Sequence, residues 1–330
     1  MKTAVVILNW NGKHLLEQFL PKVIACSPNA EVVVADNASS DDSVAMMRRT
    51  FPSVTIIENP SNNGYAGGYN EALAQVDADY YVLLNSDIEV TPNWIEPVIK
   101  HFESDPLVAA IQPKIRAFKQ RNQFEYAGAA GGFIDKYGYP FCRGRIFETI
   151  EKDNGQYDDD CELLWASGAC FFIRSGVYKE LQGFDADFFA HQEEIDLCWR
   201  AFNKGYTIKY NHNSEVYHVG GATLEHTNPR KTYLNFRNSL VMLTKNLPKS
   251  SLFTILLVRL ILDGVAGIRF ILQGNFSHCW AVLQAHFSFY TLFLKNYNKR
   301  ENLQSKAYYK TKSIVFSYYI KNGTIFGNVF

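Results

Sequence analysis

The sequence predicts an α/β fold: a mostly parallel sheet with helices on both faces, followed by a helical C-terminal extension. Three observations carry this. Short β-branched apolar runs alternate with stretches of helical spacing through the first hundred or so residues. Each apolar run ends in a cluster of Asn, Asp, Ser and Gly, on the edge where an open parallel sheet binds its ligand. The net charge of zero is also sharply divided. Residues 1–225 carry 19 Lys+Arg against 31 Asp+Glu, and residues 226–330 carry 14 against 2.

The elements follow in order. Ala4–Leu8 is the first strand, and Lys13–Ala25 a helix with its apolar positions at 15, 16, 19, 20, 23 and 24. Glu31–Ala35 is the second strand, Asp41–Arg49 a helix opened by a Ser/Asp cap, and Val54–Ile57 the third strand. Gly67–Val76 is a helix, Tyr80–Leu84 the fourth strand, Pro92–Phe102 a helix with Pro in its first turn, and Leu107–Ile111 a fifth strand. The acidic stretch 153–162 reads as an exposed loop, and Tyr233–Lys245 as a helix.

With 330 residues, 47% of them apolar, the chain can bury a large core, and wholesale disorder is excluded. Two units are expected: 1–225, with a nucleotide-binding half (about 1–115) and an acceptor half (about 116–225), and the extension 226–330. The six cysteines are scattered without a CxxC pair, which argues against a zinc ribbon or disulfide framework and suits a reducing compartment. The opening MKTAVVILNWNG reads as no secretory signal.

The cationic end calls for an anionic partner, either nucleic acid or lipid. Its apolar content favours an anionic membrane surface and no nucleic acid. Ser251–Leu272 reads as amphipathic. Phe276–Leu294, 19 residues without a formal charge, is just long enough to cross a bilayer, although Gln284, Ser288 and two histidines weaken that reading. Peripheral docking at the cytoplasmic face of the inner membrane is the expectation, ahead of an ordinary packed helical subdomain.

No GxGxxG follows the first strand and no GxxxxGK[ST] occurs, so dinucleotide and P-loop fingerprints are missing. The strand-end loops instead supply Asn9, Asp36, Asn37, Ser39, Asn63, Gly64, Asn70, Asn85, Ser86 and Asp87 as candidate donor-binding residues. This edge suits a nucleotide diphosphate. Asp36 accepts from a base or ribose, Gly64, Gly67 and Gly68 permit close backbone approach, and Asp87 offers oxygen to Mg2+ or Mn2+.

The series VVILNWNG, DNASSDDS, NNGYAGGYN and LLNSD, followed by Trp165-Ala166-Ser167-Gly168-Ala169, Gly183-Phe184-Asp185, Glu193-Glu194-Ile195-Asp196 and His218-Val219-Gly220-Gly221-Ala222-Thr223, resembles family 2 glycosyltransferases of GT-A fold over roughly residues 3–245. The bacterial rhamnosyltransferase-like members are the most similar in character. The resemblance implies inverting transfer of a sugar from a UDP- or dTDP-sugar to an acceptor hydroxyl, on a glycan or lipid-linked glycan, in surface polysaccharide synthesis. It implies that Asp36 recognises the nucleobase and that Asn85-Ser86-Asp87 stands for the Asp-x-Asp site. Asn85 replaces an Asp there, so strict dependence on a divalent cation is open. It further implies that the second member of Glu193-Glu194 is the general base, and that His218 completes a metal site with Asp87.

A base in such a transfer must reach the acceptor hydroxyl proton, and two adjacent carboxylates raise one another's pKa. On a helix Glu193 and Asp196 share a face while Glu194 points elsewhere, so Glu193, Glu194 and Asp196 are all candidate catalytic acids; one of them could anchor the helix through Arg200. Trp165 is either a stacking platform for the donor sugar or core. Arg237 and Asn238 are read as phosphate or lipid contacts, or as a surface pair. The alternatives are a sugar nucleotidyltransferase, which would want a Gly-rich basic signature at the first strand, and a non-catalytic carbohydrate- or nucleotide-binding scaffold, which would not need the acidic cluster together with Asp87.

Overall fold

In the computed structural model, which describes residues 1–220, 228–301 and 304–329, strands and helices alternate as the pattern predicts. They run β1 (Thr3–Asn9), α1 (Lys13–Cys26), β2 (Ala30–Asp36), α2 (Ser43–Thr50), β3 (Thr55–Glu58), α3 (Gly64–Leu73), β4 (Tyr80–Asn85), β5 (Ile88–Val90), α4 (Glu96–Ser104) and β6 (Val108–Ala117). A small sheet follows, made of β7 (Gly132–Ile134), β8 (Pro140–Cys142), β9 (Arg145–Ile146) and β10 (Thr149–Ile150). The chain then returns through β11 (Cys161–Leu163), β12 (Cys170–Arg174), α5 (Ser175–Glu180), α6 (Glu193–Asn203) and β13 (Thr207–His218). It ends in α7 (Pro229–Asn246), α8 (Lys249–Leu272), α9 (Phe276–Asn298) and α10 (Ile314–Tyr319).

The main sheet has the order β11-β13-β6-β12-β4-β1-β2-β3, with β5 on β13. Pairing is parallel from β4 through β3 and between β6 and β13, while β12 runs antiparallel between β4 and β6. Strand β1 explains why the sheet needs helices on both faces, since its alternate residues enter two different cores. Val5 and Ile7 pack with Leu16 and Leu20 of α1, and Ala4 and Val6 with Tyr69 and Leu73 of α3. The sequence reading had no place for β12, because Cys170-Phe171-Phe172-Ile173 is a continuous apolar run without period; it is buried on both faces in mid-sheet.

The acidic stretch is not simply an exposed loop. Asp153 is buried beside Lys114 (3.1 Å) and Arg116 (3.6 Å), and residues 161–163 form β11. Nor is any helix among the described residues long and apolar enough to cross a membrane, the Phe276–Leu294 segment included. The six cysteines are all free. Gly221-Ala222-Thr223, the end of the histidine motif, lie outside the described residues.

Candidate active site

Register brings the strand-end loops together. Asn9 stands opposite Asp36, Leu8 opposite Asn85, and Asp36 opposite Glu58, so the carboxyl ends of β1, β2, β3 and β4 form one rim. On it, the Asn9 amide donates to Asp36 Oδ1 (3.0 Å) and Ser39 Oγ (3.2 Å), and the Ser39 N–H donates to Asp36 Oδ2 (2.9 Å). Asn9 Oδ1 is buried without a hydrogen-bond partner among the described residues. Gly12 sits against it, where an added Cβ would lie 2.6 Å from that oxygen. Asn37 donates to Asn62 Oδ1 and to the Gly64 carbonyl, both at 3.0 Å, and fixes the entry to α3. Gly64 has φ +71, and a Cβ there would lie 2.2 Å from the Phe189 carbonyl oxygen, which accepts from the Ala66 N–H at 3.1 Å. Phe189 lies four residues before Glu193, so the rim and the acidic segment are joined through Gly64.

At the end of β4, Asp87 Oδ1 lies 3.1 Å from His218 Nε2, and Asp87 Oδ2 accepts from the Gly220 N–H (3.2 Å). Asn85 Nδ2 lies 3.5 Å from the same imidazole nitrogen. His218 Nδ1 is 3.2 Å from Glu125 Oε1, and all three side chains are buried. Burial works against charge on each group, but the two carboxylates outweigh it at His218 and push its pKa up to about 10. At Asp87 burial likewise pulls upward, and the His218 charge and hydrogen bond hold the carboxyl below its ordinary value. Glu125 is a partner that sequence reasoning missed: it sits in a segment without strand or helix periodicity, and only the fold brings it to His218. Among the described residues no group of three or more His, Cys, Asp or Glu is disposed to hold a metal ion. Asp87 and His218 place a carboxylate oxygen and an imidazole nitrogen 3.1 Å apart, and the pair would fit Mg2+ or Mn2+ beside diphosphate oxygens once the cation displaces the His218 proton.

Glu193 and Glu194 open α6. The loop before them holds three non-glycine residues at positive φ: Phe189 (+64), His191 (+71) and Gln192 (+69). Such strain persists only where neighbours impose it, and it gathers at functional segments. Glu193 is buried, and burial together with the neighbouring Glu194 charge raises its carboxyl well above the usual range. Glu194 is partly exposed, and burial raises it to about 7. One oxygen of each, Oε2, is buried without a hydrogen-bond partner among the described residues.

Several nominated residues are engaged elsewhere. Asp196 is fully buried; its Oδ2 takes Lys245 Nζ (2.7 Å) and Arg200 Nε (2.8 Å), and its Oδ1 takes Asn246 Nδ2 (2.8 Å). It is the anchor of α6, not a free base, and the Arg200 pairing expected from the spacing is present. Trp165 is 3% exposed, donates Nε1–H to the Phe133 carbonyl (2.9 Å) and covers Gly132, where a Cβ would come within 2.1 Å of its ring. Its ring is core and offers no face to a sugar. Asn70 bonds the Phe184 backbone and the Tyr178 hydroxyl (2.6 Å), a brace between α3 and the 178–184 turn. Asn37 braces its loop, and Asn63 is exposed and bonds Glu71. Ser86 stays partly exposed at the rim, where a Cβ on Gly12 would lie 3.5 Å from its Oγ.

A model described as glycosyl transferase family 2 matches residues 4–182. An N-acetylglucosaminyl-diphospho-decaprenol L-rhamnosyltransferase of Mycobacterium tuberculosis is 25% identical over 231 residues, 65% of this chain and 75% of the relative. The rhamnosyltransferase WbbL of Escherichia coli is 21% identical over 215 residues, 62% of this chain and 79% of the relative. Among solved structures, GalNAc-T7 crystallised with UDP, GalNAc and Mn2+ matches with a TM-score of 0.60 at 15% identity; the match covers 76% of this chain but only 48% of that one. The mannosyltransferase PcManGT of Pyrobaculum calidifontis, crystallised with GDP-Man and Mn2+, matches at 0.54 and 14% identity over 88% of this chain and 87% of its own. At these identities the likeness shows the fold, which is GT-A.

Proposed function

This chain belongs to glycosyl transferase family 2, and we propose that it is an inverting glycosyltransferase that moves a hexosyl or deoxyhexosyl group from a UDP- or dTDP-sugar to a hydroxyl of a lipid-linked glycan, in which Glu194 is the base. The observation that carries this is the pairing of Glu194 with the rim. A partly exposed carboxylate with a pKa near 7 stands on a strained loop that touches the Gly64 turn of the donor edge. As the acceptor oxygen attacks the anomeric carbon, Glu194 takes the hydroxyl proton. The bond from that carbon to the diphosphate oxygen breaks, its electron pair leaves with the nucleotide, and the configuration inverts. Glu193, held neutral by burial beside it, adds no second charge. Asp36 and Ser39 would hold the nucleoside, and Asp87 with His218 would hold a divalent cation. Such a cation supplies positive charge to the departing diphosphate. The lipid-linked acceptor is supported by the decaprenol-linked substrate that the mycobacterial relative is named for. The nucleotidyltransferase and scaffold alternatives are not favoured.

Isothermal titration of UDP and dTDP, with and without Mn2+, tests the donor edge. Asp87→Ala should weaken the Mn2+-dependent binding at least about tenfold and reduce transfer with it. No nucleotide binding by the native chain would sink the reading.

We also infer peripheral association with an anionic membrane. Leu257, Ile261 and Ile268 of α8 and Trp280, Leu283 and Phe287 of α9 are all exposed. The one acidic residue on these helices, Asp263, is buried, while Lys249, Arg269 and Lys295 stay exposed at their ends. Each basic side chain near an anionic surface contributes about 1 kcal/mol. The native chain should sediment with phosphatidylglycerol vesicles and much less with phosphatidylcholine vesicles. Trp280→Asp with Phe287→Asp should abolish this sedimentation; vesicle binding unchanged in that variant would refute the assignment of the face.

A further inference from the structure

The loop that delivers Glu193 and Glu194 is gripped from outside the α/β unit. Asn238 of α7 is buried, and its side-chain amide points at three carbonyls of the loop: Phe188 at 3.0 Å, Ala190 at 2.8 Å and His191 at 2.7 Å. Its own Oδ1 accepts from Arg237 Nε at 2.9 Å. Arg237 Nη2 in turn donates to the carbonyls of Asp187 and Phe188, both at 2.9 Å. Gln192, the last residue before α6, donates its amide to the Asn235 carbonyl at 3.1 Å. These partners face the positive-φ stretch 189–192. A left-handed residue turns its peptide carbonyls away from the direction a normal helix entry would give, and buried carbonyls so turned need donors. One planar amide and one guanidinium supply them.

We propose that Arg237 and Asn238 are positioning residues for the catalytic base: their hydrogen bonds to the 187–191 carbonyls hold the strained loop that sets the depth and direction of Glu194. This rests on the reading of Glu194 as the base. Neither side chain is assigned any contact with donor or acceptor; both act through the loop backbone. The adjacent pair on α7, first read as a phosphate or lipid contact, is thereby given a different role. The spacing explains why the two residues must be neighbours. The guanidinium orients the amide through Oδ1, which aims both amide hydrogens at the loop and leaves the donors no freedom to rotate away. Asn238→Asp would set a carboxylate against three carbonyl oxygens, so Asp should be worse than Ala, an order that a mere volume effect would reverse.

The consequence for pH follows from the surroundings of Glu194. Among the described residues, the ionisable groups that feel its charge are Glu193 beside it, Tyr65 of α3, Cys142 of β8 and Cys198 of its own helix, none of them a cation. Its high pKa thus comes from exclusion of water, and a loosened loop admits water.

The test uses the full chain, Asn238→Ala, Asn238→Asp and Arg237→Lys, with Glu194→Gln as reference. Transfer is followed with the best donor from a panel of UDP-glucose, UDP-N-acetylglucosamine and dTDP-rhamnose, onto a synthetic polyprenyl-diphospho-N-acetylglucosamine. Backbone hydrogen exchange of residues 187–194 is measured without ligand, and binding of UDP and dTDP by titration. Expected for Asn238→Ala are faster exchange confined to 187–194, a kcat lowered about 10–100-fold, nucleotide affinity within about twofold of native, and the rising, acidic limb of kcat moved to lower pH. Arg237→Lys should sit between native and Asn238→Ala. The proposal is overturned if Asn238→Ala leaves kcat and its pH profile unchanged, or if kcat, nucleotide affinity and exchange across the whole sheet deteriorate together, which is global destabilisation. An active Glu194→Gln would instead remove the base assignment on which the proposal stands, and the exchange data would still report whether the pair holds the loop.

Discussion

Replacing Glu194 with Gln should lower kcat by roughly 10²–10⁴-fold, the usual contribution of a positioned general base, while nucleotide affinity stays within about twofold. The split follows from geometry: the donor edge is built from β1, β2 and β4, and the amide keeps the shape of the side chain on α6. With Glu194 as the proposed base, the native enzyme needs that carboxyl ionised, so kcat should climb with pH and level off above about 7, the value to which burial raises Glu194. The same residue predicts a gain elsewhere. A carboxyl whose pKa is higher folded than unfolded takes up protons on folding, so stability falls as pH rises from about 4.3 toward 7. Glu194→Gln removes that loss. The variant should therefore be more stable than the native chain above pH 7, by no more than about 3 kcal/mol given the water that reaches its partly exposed side chain, and equal to it at pH 4. Urea unfolding at the two pH values checks this. A variant that is inactive and less stable at pH 8 would point to a structural role for Glu194 instead.

Much of the first hundred or so residues was legible because their physics is local. Strands β1 to β4 are short apolar runs ended by turn formers, and strand register alone then places Asn9, Asp36 and Asn85 on one rim. What failed to show depends on contacts between distant segments. Trp165 reads the same whether it lines a pocket or fills a core, and only the Gly132 backbone packed against its ring decides. Asn70 sits in the glycine-rich loop motif like a ligand residue, yet its partners lie at 178 and 184, more than a hundred residues away. Glu125 carries no pattern at all until His218 arrives from β13. Asp196 was half legible: the i,i+4 spacing gave Arg200, but Lys245 and Asn246 come from α7, beyond any local rule.

That α7 contact yields the second large effect. Lys245→Met should destabilise the fold by about 3–5 kcal/mol, because it strips a shared cation from a buried ion cluster and leaves two carboxylates under-compensated. Lys245 Nζ lies 2.7 Å from both Asp185 Oδ2 and Asp196 Oδ2, and only Arg200 and Asn246 would remain on Asp196. Asp185 would keep Lys299, the residue just after α9, at 2.7 and 2.8 Å, so Asp196, fully buried, should account for most of the loss. Burial pulls both carboxyls upward, but the lysine and arginine charges outweigh it and hold them below their ordinary value. A carboxyl depressed in the folded state stabilises above its unfolded pKa, near 3.9, and that stabilisation fades as pH falls toward the folded value. The gap between native and Lys245→Met should thus be full at pH 7 and shrink below about pH 4, as acid protonates Asp185 and Asp196 in both. Adding Asp196→Asn to Lys245→Met should recover part of the loss at pH 7, since it removes the stranded charge, and a double variant no more stable than Lys245→Met would argue that packing of the lysine stem dominates. The cluster ties α6 to α7 and α9, so the same substitution should loosen the base-bearing helix from the α7 surface that carries Asn238, and activity should fall before the protein unfolds.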